Sequence, residues 1–414
     1  MKNQPSSLRI CLVSYRSNPY CGGQGVYIRH LARALADLGH QVHVLSGDPA
    51  PHLDDDIGLT VLGGLDLYSR ENFDQMPAYK RLKTPLNLCE WWINSTMGYP
   101  EPFAFGIRAQ RFMETEGHRF DIIHDNQSLS WGLLHISRNI PTVATIHHPI
   151  TRDRDIEVMS TRSLWKRAKA MRWYSFIGMQ KRVARKLPAL ITVSHVSKRD
   201  IVADFSVSPD KLHVIPIGID TTRFYPVEGI QREPHRLIVT NSADSPLKGL
   251  YYLMHAVASM KKKNRFVLLT VIGQPKEGGI VQRLVTSLGL SEVVEFTGRV
   301  SDERLVEEYA RASVAVVPSL YEGFGLPVGE AMACGVPVVC TDGGALSEVA
   351  GDAARIVPAG DVSALETAIC DLLDDRKLGV DLARKGVDRV HERFVWRQTA
   401  EATVSVYRRM IHSR

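Results

Sequence analysis

Short apolar runs recur along this chain, each followed by a segment with helical spacing, and this pattern constrains the fold more than any other feature. A strand buried on both faces reads as a continuous apolar run, and a helix after each strand makes successive strands parallel. Leu8–Ser14 (LRICLVS) opens the series. Ile28, Leu31, Ala32, Leu35 and Leu38 then share one helical face, Gly39 supplies a stop, and a strand resumes over Gln41–Ser46. Further strands are predicted at Phe120–His124, Thr142–His147 and Ala189–Ser194, with helical segments around 103–117 and 161–187. Between 48 and 102 only Leu59–Leu62 reads as a strand. Ile219–Val227 (IDTTRFYPV), polar and containing proline, reads as a linker. A second series follows: strands at Arg236–Thr240, Phe266–Gly273, Val293–Gly298, Val314–Ser319 and Val336–Thr341, with helical stretches at 248–262, 278–288, 301–312, 328–334 and 362–374. Two such series predict an α/β chain of two Rossmann-like domains, 1–218 and 219–395, with a last helix over about 396–411.

At roughly 100–200 residues per domain, 414 residues agree with that division. The chain is 44% apolar and 23% charged, the balance of a globular protein rather than a disordered one. A formal net charge of +6 is mild for this length, so nucleic acid is not an expected partner. The cysteines at 11, 21, 89, 334, 340 and 370 form no C-x-x-C pair, which argues against a zinc ribbon and against a disulfide framework. Cys11 and Cys340 sit in apolar runs and read as core. The N-terminus has no apolar signal-peptide core, and no run approaches the roughly 20 apolar residues of a membrane span. A reduced, cytoplasmic, soluble protein is expected.

In open α/β sheets, ligands bind beyond the carboxyl ends of the strands. After Val314–Ser319 the chain reads LYEGFGLPVGEA, from Leu320 to Ala331. Gly323 and Gly325 allow close backbone approach, Pro327 suits a first helical turn, and free N–H groups at a helix start face an anion such as a diphosphate. Glu322 precedes that helix and Glu330 lies about one turn inside it, so the two carboxylates can reach different parts of one ligand. The plainer reading makes Glu330 a complement to the helix dipole and Glu322 a solvated loop residue. The turn Gly22-Gly23-Gln24-Gly25 is either a tight βα connection or a phosphate- or acceptor-facing loop; it is not a G-x-G-x-x-G fingerprint. Lys248 opens the helix bearing Leu250, Leu253, Met254 and Val257, and either neutralises a phosphate as a point charge or is merely solvated. Of His147 and His148, adjacent at a strand end, only one is expected to face a ligand, and a structural hydrogen-bonding role competes with that reading. Asp54–Asp56 and Asp374-Asp375 read as solvated, and no metal motif is found. Residues 161–186 carry nine basic and no acidic side chains, interleaved with Leu164, Trp165, Met171, Trp173, Tyr174 and Phe176. That composition suits an anionic membrane surface, or a core helix with a solvated outer face.

Taken together and in this order, these segments resemble the retaining GT-B glycosyltransferases, specifically glycosyltransferase family 4 (group 1). The resemblance covers nearly the whole chain. It rests on Gly22-Gly23, Thr192-Val193-Ser194 before Ser197, Val214 to Asp220 before Phe224, Lys248-Gly249, Gly298-Arg299-Val300, and Glu322 to Glu330 with Glu348 beyond. It implies a GT-B fold with a deep interdomain cleft and a terminal helix, 396–414, that returns to the N-terminal domain. It implies a nucleotide-diphosphate sugar as donor, retention at the anomeric carbon and no metal or other cofactor. Carried over residue by residue, Glu330 would bind the ribose hydroxyls and Glu322 the donor sugar. Phe324, Gly325 and Leu326 would offer backbone N–H groups, and Lys248 would hold the diphosphate. His147 would sit near the sugar, Gly23 near phosphate or acceptor, and Arg299 and Val300 by the base. The family commonly has an arginine about five positions before the lysine; here that position is Ala243, followed by Asp244.

The reading is therefore a hexosyltransferase in which Lys248 and the helix start at Gly325–Val328 stabilise the departing diphosphate. No second carboxylate is placed on the opposite sugar face, which favours front-face attack with the leaving phosphate as base, as the resemblance also implies. The acceptor is expected to be a glycan of the cell envelope or a lipid-linked one, reached from the inner face of the cytoplasmic membrane through 161–186. The alternatives are a sugar-nucleotide epimerase or phosphorylase of the same fold, and a non-catalytic binding subunit.

Overall fold

The computed structural model describes residues 7–17, 23–67, 79–161, 163–240 and 245–413. It divides into two compact units. The first holds the described residues up to Val193, Ser197–Pro216, and those from Trp396 on; the second holds Ser194–Val196 and Ile217–Val395.

The first unit is built on seven parallel strands: β1 (Arg9–Ser14), β2 (Gln41–Ser46), β3 (Gly58–Val61), β4 (Ile122–Asn126), β5 (Thr142–Ile146), β6 (Ala189–Thr192) and β7 (Leu212–Val214). They run in the order β3-β2-β1-β4-β5-β6-β7. Every residue of β4 and β5 is buried, as is every residue of β1 after Arg9, because helices cover both faces. Helix Gly23–Asp37 buries Ile28, Leu31, Ala32 and Leu35 of the face predicted from spacing, with Tyr27 beside them, whereas Leu38 falls beyond the helix and is half-buried. The terminal helix Trp396–His412 buries Thr399, Ala400, Val404 and Tyr407 in this same unit, against Gly23–Asp37. The Tyr407 hydroxyl hydrogen-bonds His124 Nδ1, and His124 Nε2 lies 2.6 Å from Thr145 Oγ1. Burial pushes His124 down to about 3, so the ring is neutral and both nitrogens need these partners.

The second unit carries β8 (Arg236–Thr240), β9 (Leu268–Ile272), β10 (Val294–Gly298), β11 (Val314–Val317), β12 (Val338–Thr341) and β13 (Arg355–Val357), all parallel, in the order β10-β9-β8-β11-β12-β13. Each sheet reverses its winding direction once, between β1 and β4 in the first and between β8 and β11 in the second. Those two reversal points are where a doubly wound sheet opens a crevice for ligand.

Several expectations are corrected. The segment 161–187 is not one helix. Ser163 caps a helix over Leu164–Trp173, a 3-10 turn follows at Tyr174–Phe176, and a second helix spans Ile177–Lys186. Only the second half has a core face, with Ile177, Met179, Val183 and Ala184 buried. Residues 219–227 are not a loose linker but a packed part of the second unit. The Ile219 N–H donates to the Phe394 carbonyl at 2.6 Å, Phe224 is buried, and Arg223 is ion-paired with Asp302. Lys248 does not open a helix; it ends a 3-10 turn (Pro246–Lys248), and the helix Leu250–Lys262 starts after Gly249. The acidic runs are not merely solvated: Arg33 pairs with Asp54 and Asp56, Arg265 pairs with Asp374, and Asp375 caps helix Arg376–Arg393. Arg162, Cys21, Gly22, Ala243 and Asp244 lie outside the described residues.

Candidate active site

The reversal point of the second sheet brings together the loops after β8 and β11. They are strapped to each other: the Leu320 N–H donates to the Leu247 carbonyl at 2.7 Å. Gly249, in the left-handed region at φ +67°, makes that approach possible, since a Cβ there would run into the Pro318 carbonyl. Lys248 Nζ then donates to Glu322 Oε1 at 2.6 Å, and Ser319 Oγ donates to the same oxygen at 2.9 Å. The lysine side chain keeps 33% of its exposure and the glutamate 13%. A cation at the mouth of the site is therefore held in place by a carboxylate while remaining reachable. The Glu322 carbonyl accepts from Ala345 N–H at 2.9 Å, which pins the loop from its other side.

Helix Leu326–Ala333 starts at this loop. Its N-cap, Gly325, has φ +108°, and a Cβ there would lie 2.6 Å from Leu346 Cδ2, so only glycine fits. Pro327 occupies the first turn as predicted. At this start Pro327 has no N–H and the Val328 N–H donates to the Gly325 carbonyl at 3.0 Å, so Leu326 brings the opening N–H, four residues after Glu322. Phe324 is buried edge-on against Phe394, 5.6 Å between ring centroids, and Leu326 is half-buried. Glu330 lies one turn in and is half-buried. Burial, with help from Asp302, pushes its carboxyl up to about 7, while Arg223 and Lys248 pull it down. Arg223 is a residue that sequence reasoning missed. It pairs with Asp302, lies 4.9 Å from the Phe224 ring centroid, and adds a second positive charge in the field of Glu330. Its only sequence signal was a lone arginine in a turn read as linker. Arg299 and Val300 follow β10, the edge strand two places from β8; Arg299 is exposed and Val300 half-buried.

In the first unit, Gly23 is exposed at the start of its helix, close in sequence to the end of β1. His147 directly follows β5. Its Nε2 lies 2.8 Å from Asn126 Oδ1, at the end of β4. Asn126 Nδ2 donates to the Gln24 carbonyl at 3.2 Å, and a carbonyl can only accept, so the amide orientation is fixed. Asn126 Oδ1 must then accept, and His147 carries its proton on Nε2 with Nδ1 as acceptor. Burial, followed by the nearby His148 and His124, holds His147 down to about 3, so the ring is neutral. Tyr27 packs edge-on against it at 4.7 Å, and the His147 N–H and carbonyl are held by Gln127 and Ser197. His148 turns elsewhere, to Asp153 at 2.8 Å. Asn126 was missed because only apolar strand residues were sought. The signal was there, in a run of polar residues (His124, Asp125, Asn126) closing an apolar strand.

Two Rossmann-like units of parallel sheet, as in the solved glycosyltransferases this chain resembles in fold, place it in the GT-B class of α/β proteins. Residues 225–389 match the family profile described as glycosyl transferases group 1, and residues 21–223 match glycosyltransferase family 4. The chain is 46% identical to the MMP alpha-(1->4)-mannosyltransferase of Mycolicibacterium hassiacum, with 98% of each chain covered. It is 27% identical to D-inositol 3-phosphate glycosyltransferase 2 of Catenulispora acidiphila, over 97% of this chain and 95% of that one. Among solved structures it is similar in fold to sucrose-phosphate synthase from Thermosynechococcus elongatus (TM-score 0.76, 22% identity, 98% and 100% covered). It is likewise similar to Anabaena HepE in complex with UDP and glucose (TM-score 0.68, 18% identity, 96% and 99% covered). The chain belongs to glycosyltransferase family 4 and is a glycosyltransferase.

Proposed function

We propose that this protein is a retaining α-mannosyltransferase that takes mannose from a nucleoside-diphosphate donor and forms an α-(1→4) link. The observation that carries this reading is the 46% identity, over 98% of both chains, to a protein bearing that activity in its name. The second unit supports the chemistry. As the bond to the sugar breaks, negative charge grows on the diphosphate. Lys248, handed over from Glu322, and the Leu326 N–H opening Leu326–Ala333 meet that charge, so the arrangement supplies its own positive charge and needs no metal. Glu330 accepts from the ribose hydroxyls in its ionised form. Glu322 positions Lys248 and is freed toward the donor sugar when phosphate takes over the lysine. His147, neutral with Nδ1 as acceptor, is suited to receive a sugar hydroxyl. The leaving phosphate serves as base for the acceptor hydroxyl, which attacks from the same face.

The test is a donor screen with GDP-mannose, UDP-glucose and UDP-N-acetylglucosamine against methyl α-D-mannoside, in the presence and absence of EDTA. Mannosyl transfer to O4 with α configuration, insensitive to EDTA, is expected. Exclusive use of a UDP-sugar, or a β product, overturns the reading.

A second reading concerns where the reaction occurs. In helix Leu164–Trp173 only Ala170 is buried, while Leu164 and Trp165 are 79% and 67% exposed beside Lys166, Arg167 and Lys169. Apolar and cationic side chains together on an exposed helix favour docking on the anionic inner face of the cytoplasmic membrane, where a lipid-linked acceptor would be met. Among the described residues no helix is long and apolar enough to cross a membrane. Flotation with anionic liposomes at low salt is expected, and its absence overturns this second reading.

A further inference from the structure

The chain leaves β4 through a knot of buried, mostly polar residues from Asp125 to Ser130. Gln127 and Leu129 both stand in the left-handed region, at φ +60° and +46°. That backbone is unfavourable for a residue with a Cβ, while glycine takes it freely. Both positions nevertheless carry a large side chain, and both side chains are buried. Residues held in such conformations by their surroundings cluster at functional sites. Asp125 closes the knot, its carboxylate accepting from the Ser128 hydroxyl and, at 2.9 Å, from the Leu129 N–H.

The Gln127 side chain continues the sheet where its backbone turns away. β4 and β5 pair in parallel as far as Asn126 and Thr145. Just beyond, Gln127 Oε1 accepts from the His147 N–H at 2.8 Å, and its Nε2 donates to the His148 carbonyl at 3.0 Å. One partner can only donate and the other only accept, so the amide has a single orientation. Gln127 is held in turn: Gln180 Nε2 donates to its carbonyl at 3.0 Å and to the Ser128 carbonyl at 3.4 Å. Gln180 is fully buried on helix Ile177–Lys186, where Ile177, Met179 and Val183 form the core face. Its Oε1 has no hydrogen-bond partner among the described residues, a cost in stability. From the other side, the Ser197 hydroxyl donates to the His147 carbonyl at 3.0 Å and the Thr192 hydroxyl to the Ile146 carbonyl at 2.8 Å. His147 itself is half-buried, so a reachable ring stands on a sealed scaffold.

We infer that Gln127 is a positioning residue for glycosyl transfer, fixing the main chain at His147 and His148 so that the His147 imidazole faces a sugar hydroxyl. This inference rests on the glycosyl-transfer reading above and on the role given there to His147. Asn126 sets which ring nitrogen bears the proton, and Gln127 sets where the ring stands. A displacement of about 1 Å from productive geometry can cost a hundredfold in rate, so a group that never touches substrate can govern turnover. A connection serving stability alone would be met by glycine at 127 and an apolar residue at 180.

The test is a double-mutant cycle, run with whichever of GDP-mannose, UDP-glucose and UDP-N-acetylglucosamine the wild-type protein transfers to methyl α-D-mannoside. Gln127→Met keeps the volume and loses both polar contacts; Gln127→Glu keeps the acceptor and loses the donor facing the His148 carbonyl. Each is expected to lower kcat by about fivefold or more, with the Kd for the free nucleoside diphosphate, which carries no sugar, unchanged by calorimetry. His147→Ala is expected to lower kcat by about tenfold or more, and adding Gln127→Met to it to change kcat by less than about twofold further. A purely structural role would multiply the two losses. Thermal melting shows that each variant is folded, and if Gln127→Met does not fold, Gln127→Glu carries the same cycle. Losses that multiply, or folded Gln127 variants as fast as wild type while His147→Ala is slow, overturn the positioning role alone. His147→Ala as fast as wild type overturns the reading of His147 as a sugar contact. Wild-type protein that transfers from none of the three donors overturns the mannosyltransferase reading. The inference falls with either.

Discussion

Lys248 and Glu322 neutralise each other at 2.6 Å, and a third of the lysine remains exposed. An ion pair that open to water contributes about 0–1 kcal/mol to stability, whereas a preorganised cation facing a developing diphosphate charge contributes a hundredfold or more to rate. Lys248→Ala is therefore expected to lower kcat by about 100-fold or more while leaving the melting temperature nearly unmoved; unchanged turnover removes Lys248 from the mechanism. Glu330 gives a pH dependence with a definite sign. Its carboxyl is raised to about 7 by burial and Asp302, opposed by Arg223 and Lys248. The protonated form thus persists up to neutral pH, and only the ionised form accepts from both ribose hydroxyls. Between pH 6 and pH 8 the ionised fraction climbs from about a tenth to about nine tenths, so nucleotide affinity is expected to rise by about tenfold over that range. Calorimetry across pH checks this, and Glu330→Gln should flatten the profile.

At the scale of the element, the start of Leu326–Ala333 depends on one backbone angle. Gly325 at φ +108° lets the chain turn into the helix directly after the loop that holds Lys248 through Glu322. Gly325→Ala meets a left-handed penalty of about 1–2 kcal/mol, and its methyl group encounters Leu346 as well. Urea denaturation should show at least that loss, and nucleotide binding should weaken with it, because the same turn sets both. Stability lost with nucleotide affinity intact would show that the helix start is not the anion site. The two halves of 161–187 carry a related lesson. Both are basic, but Ile177, Met179, Val183 and Ala184 recur on one face only in the second, so only that half docks on the core.

Over the whole molecule, the chain leaves the first unit at Pro216 and comes back to it at Trp396. Tyr407 meets His124 across 283 positions of sequence, and the His30 and Trp396 rings stack at 5.3 Å within the same unit. Tyr407 is fully buried. Tyr407→Phe leaves His124 one partner short and is expected to cost about 1–3 kcal/mol; Tyr407→Ala adds a cavity, for a total of about 3–5 kcal/mol. Equilibrium unfolding followed by probes in each unit should place the loss in the first unit alone.

The sequence alone determined the α/β class, because strands buried on both faces must be written as apolar runs. Gln41–Ser46, Arg236–Thr240 and the helix Val362–Asp374 appear with the boundaries their residues predict. It also placed Glu322, Gly325 and Glu330 around a helix start, since Gly and Pro punctuate the chain locally. It failed where burial is not apolar. The fourth strand ends two residues later than predicted because His124, Asp125 and Asn126 are buried through hydrogen bonds. Helix Arg376–Arg393 was invisible because its buried stripe is only Gly379, Leu382, Gly386 and Val390 among many charges. Which cation meets which carboxylate, Lys248 with Glu322 and Arg223 beside Glu330, was decided only in the tertiary structure. Such pairings join residues 74 or more positions apart, and no local periodicity encodes a contact of that range.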